Sequence, residues 1–291
     1  MFPKAIDYHK PGKPMVPTGL GVIYVIISAL YLFTLHLLYE GPVEGGVFKA
    51  LTLAVCILFG GFMGLLDDWM DLRWRYKAFL PLIAALPLIA LTFKLSYIRT
   101  SILIPLIGII DFGVYYYFVI IPLIVTITTN TINQLGGLNG LETVCPAIVL
   151  IGLMTCSGSN ALLLLVPLIV WIILAIYNFS GKIFVGNTGS FAIGMTLAAF
   201  AIITDLKWSL MVSITPFIFN SSIILLNYFI FRTKANVSFN GNRLISDHRR
   251  SLITIITYKR PMTEKQVVIT IAVLVAISTM AATLIHLLII H

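Results

Sequence analysis

Residues 47–77 read VFKALTLAVCILFGGFMGLLDDWMDLRWRYK. Up to Leu66 the only charge is Lys49; then Asp67, Asp68, Asp71, Arg73, Arg75 and Lys77 arrive together. About twenty apolar residues are what an α-helix needs to cross a hydrocarbon layer of about 30 Å, so the stretch reads as a membrane span that ends at a charged turn. The rest of the chain is built alike: of 291 residues, 59% are hydrophobic and 10% charged, with a mean hydropathy of +1.02. No soluble domain of this size hides so much apolar surface in one core. Runs of spanning length fall at 18–39, 47–66, 78–94, 114–130, 141–157, 161–178, 188–204, 208–231 and 266–290. They are continuous rather than alternating, so the spanning form is helical. The expected fold is an all-α polytopic membrane protein, about nine transmembrane helices in one bundle, with 1–291 as a single domain. No internal repeat or low-complexity tract interrupts it. The opening residues are polar and proline-rich and lack the apolar core of a cleavable signal peptide. Cys56, Cys145 and Cys156 are isolated within apolar runs and read as small buried hydrophobes.

Charge sets the expected orientation. With a cytosolic amino terminus, the inside segments are 1–17, 67–77, 131–140, 179–187 and 232–265. Fifteen of the 19 Lys and Arg residues then fall inside, and Lys49, Lys94, Arg99 and Lys207 fall outside. This asymmetry follows the positive-inside rule, so the net charge of +8 calls for no nucleic-acid partner. Part of the excess is free to hold anionic phosphates or lipid headgroups. The longest outer segment, 95–113, carries β-branched residues with Pro105 and Gly108 and reads as a short β-hairpin on the membrane.

Five polar strings remain. LLDDWMDLRWRYK holds the paired Asp67 and Asp68, which are either a plain helix terminus or a functional site. TTNTINQLGGLNGLE (128–142) closes the fourth span with Asn130, Asn133 and Asn139 around Gly136-Gly137: amides three apart share a helical face, though Asn and Gly are also ordinary turn residues. Glu142, just after, either touches that turn or caps its helix. KIFVGNTGSFAIG (182–194) opens the seventh span as an oxygen-rich helix start suited to an anion or a metal–phosphate unit, or as a simple Asn or Thr N-cap. The last inside segment holds Arg243, Asp247, His248, Arg249 and Arg250, whose guanidinium forks suit a diphosphate, although topology alone also predicts a basic segment there. HKPGKPMVPTGLG (9–21) adds Lys10 and Lys13. Asn178, Asn220 and Asn236 match the glycosylation pattern by chance. Taken singly each string is ambiguous. All five fall on one membrane face, and carboxylates, amides and fixed cations together are the parts that handle a phosphate ester with Mg²⁺.

The strings resemble the polyprenyl-phosphate N-acetylhexosamine-1-phosphate transferases (glycosyltransferase family 4). The likeness rests on GLLDDWMDLRWRYKAFLP, NTINQLGGLNGLE, FVGNTGS and KPMVPTGLG, in order along most of the chain, and the first two look closest to the archaeal and eukaryotic dolichyl-phosphate branch. The resemblance implies transfer of a sugar 1-phosphate, GlcNAc-1-phosphate as first choice, from a UDP-N-acetylhexosamine to a polyprenyl or dolichyl phosphate, with release of UMP. It implies Mg²⁺, with Mn²⁺ as a substitute. Carried over by position, Asp67 and Asp68 match the catalytic aspartates, one acting on the lipid phosphate and one, Asp68, assisting the metal. Lys77 matches the basic residue at the diphosphate. Asn130, Asn133 and Asn139 match the asparagines near uridine and diphosphate, and Phe184 an aromatic beside the uracil. His248, Arg249 and Arg250 fall where the family keeps a His/Arg loop, and Lys13 matches the lysine of the first inside loop. A homodimer is a candidate assembly, and an archaeal-like plasma membrane fits the short loops better than an endoplasmic reticulum.

Three departures qualify the likeness. Asn187 stands where the family pattern has a metal-binding Asp, so metal binding and turnover are expected to weaken. Relatives usually carry one more span ahead of KPMVPTGLG. The last loop reads SDHRRSL, which matches neither the bacterial nor the eukaryotic form and leaves the sugar open. Two other readings compete: a catalytically silent relative that binds lipid or nucleotide, and a multi-span transporter.

Overall fold

The computed structural model describes residues 2–38, 49–93, 98–104, 108–240 and 243–290. Lys94 and Pro105, used above in reading the outer segments, lie outside the described residues.

The chain opens with an antiparallel hairpin, β1 (Lys4–Ile6) and β2 (Met15–Pro17), and then enters α1 (Gly21–Leu38) and α2 (Lys49–Met70). The next span is broken into α3 (Trp74–Ala84) and α4 (Leu86–Phe93). A second hairpin follows, β3 (Ser101–Ile104) with β4 (Gly108–Asp111), as the β-branched outer segment foretold. A π-helical turn at Tyr116–Ile120 leads into α5 (Ile121–Leu135), and α6 (Leu141–Cys156) comes next. After a 3₁₀ turn come α7 (Leu165–Phe179), α8 (Gly186–Ile203), and the pair α9 (Lys207–Ser213) and α10 (Thr215–Phe229). The small hairpin β5 (Ser238–Asn240) and β6 (Arg243–Ile245), the short α11 (Leu252–Ile256) and the long α12 (Glu264–Ile290) complete the chain.

Among the described residues, seven helical segments are long and apolar enough to cross a membrane, and an eighth results if α9 and α10, bent by 59°, form one span. The run expected at 141–157 is the 16-residue α6, apolar but shorter than those. The expected count of nine is therefore seven or eight by length. The break between α9 and α10 sits just before Thr215-Pro216, where proline has no N–H to continue the ladder and biases the preceding residue away from helix.

Small residues decide which helix is central. Every residue of α8 from Thr188 to Ile203 is buried, and its sequence, GNTGSFAIGMTLAAFAII, is rich in Gly and Ala. Between apolar helices in lipid there is little hydrophobic drive to associate, so close van der Waals approach over small residues dominates. A methyl built on Gly60 would lie 2.7 Å from Met195 Cβ, one on Gly194 2.8 Å from Thr129 Cα, and one on Gly21 2.2 Å from Gly189 Cα. Thus α1, α2 and α5 all pack on α8 at glycines. Outward-facing side chains such as Leu30, Phe62, Ile173, Ile277 and Leu284 are exposed, as suits contact with lipid.

The two ends of the bundle are each tied by polar contacts. At one, Tyr31 donates to the Leu162 carbonyl (2.7 Å), Lys49 to Asn160 (2.9 Å), and the buried Lys207 pairs with Asp205 (2.7 Å) while donating to the Arg99 and Ser101 carbonyls. The other end carries the five polar strings.

Candidate functional site

Neighbouring residues on a helix point about 100° apart, so the two aspartates at the end of α2 serve different partners. Asp67 turns inward and is 1% exposed. Its Oδ1 pairs with Lys77 Nζ at 3.0 Å and accepts the Leu72 N–H at 3.2 Å. The ten-residue spacing of this pair is one helix end, one reversal and one turn of α3. Asp71 makes the reversal in a left-handed conformation (φ 46°), with its N–H on the Asp67 carbonyl. Asp67 Oδ2 is buried and has no hydrogen-bond partner among the described residues. A half-answered carboxylate in so dry a place calls for a proton, a water or a ligand.

Asp68 turns toward α8. Its Oδ1 accepts the Asn187 N–H at 2.9 Å, and its Oδ2 accepts the Thr188 N–H at 2.9 Å and the Thr188 hydroxyl at 2.7 Å. A carboxylate from one helix thus caps another, meeting orphan amides and the positive end of the helix dipole. Close approach makes this possible. Gly64, one turn before Asp68, lets the α8 backbone sit where a methyl would come within 2.2 Å of the Asn187 carbonyl oxygen. Gly186, at φ +72°, turns the chain into α8 where any side chain would meet Asp68 Oδ2.

Other members of the strings join this junction. Asn133 Oδ1 accepts the Ser190 hydroxyl at 3.0 Å, and the same hydroxyl reaches the Asn187 carbonyl at 3.3 Å, so α5 is stitched to the first turn of α8. Asn130 donates to the Ala78 carbonyl at 3.3 Å and ties α5 to α3. The Asn187 side chain is partly exposed and makes no hydrogen bond among the described residues. Phe184, also partly exposed, lies on an extended segment whose N–H donates to the Pro17 carbonyl (2.8 Å) and whose carbonyl accepts from Leu20 (3.2 Å). Asp67, Asp68, Lys77, Asn130, Asn133 and Asn187 are therefore brought together by α2, α3, α5 and α8, with Phe184 two residues before α8.

The remaining expected site residues are held elsewhere. Asn139, 4% exposed, donates its side-chain N–H groups to Asp7 Oδ2 (2.8 Å) and Glu264 Oε1 (3.0 Å), and its backbone N–H to Glu264 Oε1 (2.7 Å). It latches the amino-terminal hairpin and α12 to the α5–α6 turn. Lys13 is exposed at φ 44°, its ammonium 5.8 Å above the Tyr8 ring. The His248–Arg250 segment belongs to the small unit of β5, β6 and α11. His248 Nε2 accepts the Asn236 N–H (3.3 Å), Arg249 lies 4.2 Å over the Tyr258 ring and Arg250 donates to the Lys234 carbonyl (3.1 Å). Among the described residues none of these three bonds to the acidic pair.

Several structural residues carried no sequence signal of their role. Asn178, noted above only as a chance glycosylation match, is fully buried; its Oδ1 accepts from Gly140 and Thr143, and its Nδ2 donates to the Ile183 carbonyl. Asn220 accepts the Leu252 N–H and so anchors α11. Asp7 and Glu264, which hold Asn139, stand in none of the motifs.

Residues 50–205 match the family model described as glycosyl transferase family 4. A protein of Saccharolobus solfataricus provisionally named UDP-N-acetylglucosamine–dolichyl-phosphate N-acetylglucosaminephosphotransferase is 32% identical over 275 residues, 90% of this chain and 82% of that relative. The protein of that name from Schizosaccharomyces pombe is 32% identical over 263 residues, 74% of this chain but 58% of its own. A phospho-N-acetylmuramoyl-pentapeptide-transferase of Prochlorococcus marinus is 26% identical over 258 residues, covering 82% of this chain and 67% of its own.

Proposed function

From the premise that this chain belongs to glycosyl transferase family 4, as the matched region and the relative covered over 82% of its length show, we propose that it transfers N-acetylglucosamine 1-phosphate from UDP-N-acetylglucosamine to a polyprenyl or dolichyl phosphate. An oxygen of the lipid phosphate forms a bond to the sugar-bearing phosphorus as the bond from that phosphorus to UMP breaks. UMP leaves, and the lipid keeps a diphosphate sugar. The observation that carries this reading is the junction where α2, α3, α5 and α8 meet: an acidic pair, a lysine on one of its members, and an amide-lined helix start, all at one end of a bundle.

Transfer between two phosphates asks a protein mainly to position anions and to neutralise charge. Asp67 is suited to the lipid phosphate, because among the described residues Oδ2 is buried and unpartnered while Lys77 holds Oδ1. It is placed to take the proton of a monoprotonated phosphate, and Lys77 beside it to meet the phosphate's charge. Asp68 serves by holding the first turn of α8, and with it Asn187 and Ser190, in fixed position. The residues also fit a Mg²⁺ ion that takes most of its oxygens from the substrate diphosphate, as this ion commonly does with only one or two carboxylates. The Asn187 amide and Asn133 Oδ1 offer oxygens, and Asp67 Oδ2, without a hydrogen-bond partner among the described residues, offers a buried carboxylate oxygen. When bound, the ion would neutralise the diphosphate oxygens.

The charge asymmetry supports a cytosolic position for this end of the bundle, where the nucleotide would arrive from water and the isoprenoid from the bilayer. The archaeal relative favours a plasma membrane. The test is incubation of the purified full-length protein with radiolabelled UDP-N-acetylglucosamine, Mg²⁺ and polyprenyl phosphate. Lipid-linked label with equimolar UMP is expected. UDP-sugar binding without product would make the chain a silent relative, and the absence of both product and binding would overturn the reading in favour of a carrier. Parallel incubation with other UDP-N-acetylhexosamines fixes the sugar.

A further inference from the structure

The turn that leads into α8 is held from outside the bundle as well as from within. Within, the Asn178 carbonyl accepts the Gly181 N–H (2.7 Å) and Asn178 Nδ2 donates to the Ile183 carbonyl (2.8 Å). Outside, the chain that joins the amino-terminal hairpin to α1 runs alongside the turn. Besides the two bonds at Phe184, the Gly21 N–H donates to the Val185 carbonyl at 2.9 Å. A methyl built on Gly186 would come within 3.1 Å of Gly19 Cα. Residues 17–21 thus lie as a strap along 184–186, immediately before Asn187 and Thr188, the two residues that Asp68 holds.

The strap is fixed at its hairpin end by charge. Asp7 is 2% exposed. Its Oδ2 accepts from Asn139 Nδ2 (2.8 Å) and pairs with Lys10 (3.4 Å), and its Oδ1 accepts the His9 N–H (3.2 Å). Lys10 reaches the α7–α8 turn itself. A methyl built on Gly181, at φ +67°, would displace the Lys10 ammonium, so the lysine head fills the notch that this glycine leaves. The same methyl would lie 3.7 Å from Asn139 Cγ, so the hairpin, the α5–α6 turn and the α7–α8 turn meet at one point. A hairpin that merely covered helix ends would need no buried charge, which is costly to desolvate. A buried ion pair selects one register, the one that sets Asp7 on Asn139 and Lys10 on Gly181.

We propose that Asp7 and Lys10 are positioning residues for the nucleotide: by locking the hairpin against Gly181 they set where the 184–187 segment stands at the junction. That segment carries Phe184 and Asn187, both partly exposed. Among the described residues neither Asp7 nor Lys10 bonds to the acidic pair, so both act through the turn. The inference deepens the transferase reading and rests on it for the identity of the nucleotide. The competing account is a clasp that adds stability alone, which would lower the unfolding temperature and leave substrate constants unmoved.

The experiment uses the purified full-length protein in one detergent. It compares the unaltered protein with Asp7→Asn, Lys10→Met, the double variant, and Lys4→Met, a hairpin lysine with no ion pair among the described residues. Calorimetry reads UDP affinity, mass spectrometry reads amide exchange over 182–187, and transfer rates are taken over a range of UDP-N-acetylglucosamine, with thermal unfolding alongside. Asp7→Asn and Lys10→Met are each expected to weaken UDP binding and raise KM by about tenfold, the worth of one charge-assisted hydrogen bond. kcat should stay within about threefold, and exchange over 182–187 should speed up. The double variant should lose no more than the worse single, because the two residues act as one pair, and Lys4→Met should match the unaltered protein. UDP affinity and KM within about twofold of the unaltered protein in both single variants overturn the proposal. Unchanged exchange, an equal loss in Lys4→Met, or double-variant losses that multiply overturn it too. Should Asp7→Asn fail to fold, Lys10→Met decides alone by the same limits. UDP binding that depends on Lys10, without lipid-linked product from the unaltered protein, fells the transferase reading and leaves this one standing. Product formed with an unmoved KM fells this one alone, and no UDP binding by the unaltered protein fells both.

Discussion

Gly64→Ala tests the contact on which the site depends. The added methyl would lie 2.2 Å from the Asn187 carbonyl oxygen, 2.6 Å from its carbon and 2.6 Å from Thr188 Cα. All three are backbone atoms, so no side chain can rotate away. Carbon atoms pack at about 3.5–4.0 Å, and relieving the overlap requires α2 and α8 to part by about 1 Å. The three bonds from Asp68 to α8, now 2.7–2.9 Å, would open beyond the ~3.2 Å limit of a useful hydrogen bond. Overpacking of this kind costs about 1–3 kcal/mol. A displacement of ~1 Å in a reacting constellation costs on the order of 100-fold in rate. The assays are the initial rate of lipid-linked product and the thermal unfolding of the purified protein. Leu65→Ala, next in sequence but 48% exposed, is the control and should leave the rate close to that of the unaltered protein. A Gly64→Ala protein with an unchanged unfolding transition and a rate within about threefold would refute the claim that close backbone contact sets the site.

Lys77→Met should leave Asp67 as an unpaired buried charge, a loss of about 3–5 kcal/mol. Adding Asp67→Asn should recover most of the thermal stability but none of the transfer rate, and additive losses in the double variant would show that the pair is not coupled. Asn139→Ala should remove bonds to two carboxylates, lower stability by about 1–3 kcal/mol and speed proteolytic cleavage within the 2–17 hairpin. A fall in UDP-sugar affinity with unchanged cleavage would instead make it a nucleotide contact. Asn187→Asp should raise the Mg²⁺-dependent transfer rate, and equal, robust rates in both forms would sink that expectation.

What the sequence disclosed follows the range of the interactions. Spans were legible because a twenty-residue apolar run is local and continuous, and the outer hairpin because β-branched residues flank a turn. The 59° bend between α9 and α10 had its signal in Thr215-Pro216, although a single run over 208–231 hid it. The acidic pair, its lysine and the asparagines were found by residue type. Their partners were not. Asp68 caps a helix 119 positions onward and Asn139 bonds to residues 132 and 125 positions away, and contacts so distant leave no periodicity behind. GNTGS reads equally well as an N-cap or an anion site, because both use the same amides. Which group fills them is decided by packing at Gly64 and Gly186, whose value shows only when two helices are placed together.

That outcome changes how the substrate must be received. The amino end of α8 looked like an anion site, and it is one, but its anion is Asp68. The helix dipole, equivalent to roughly half a charge, is thereby used within the protein, and its first amides are not available to a diphosphate. Lys77 is likewise engaged with Asp67. On the transferase reading, a diphosphate approaching this junction meets carboxylates in excess of fixed cations, so its own charge repels it unless positive charge comes with it. A divalent cation is then a condition of substrate binding as well as of transfer. Chelation should abolish UDP-sugar binding along with the reaction, and binding that survives complete removal of divalent ions would show that fixed cations, such as those of the 248–250 segment, take the diphosphate instead.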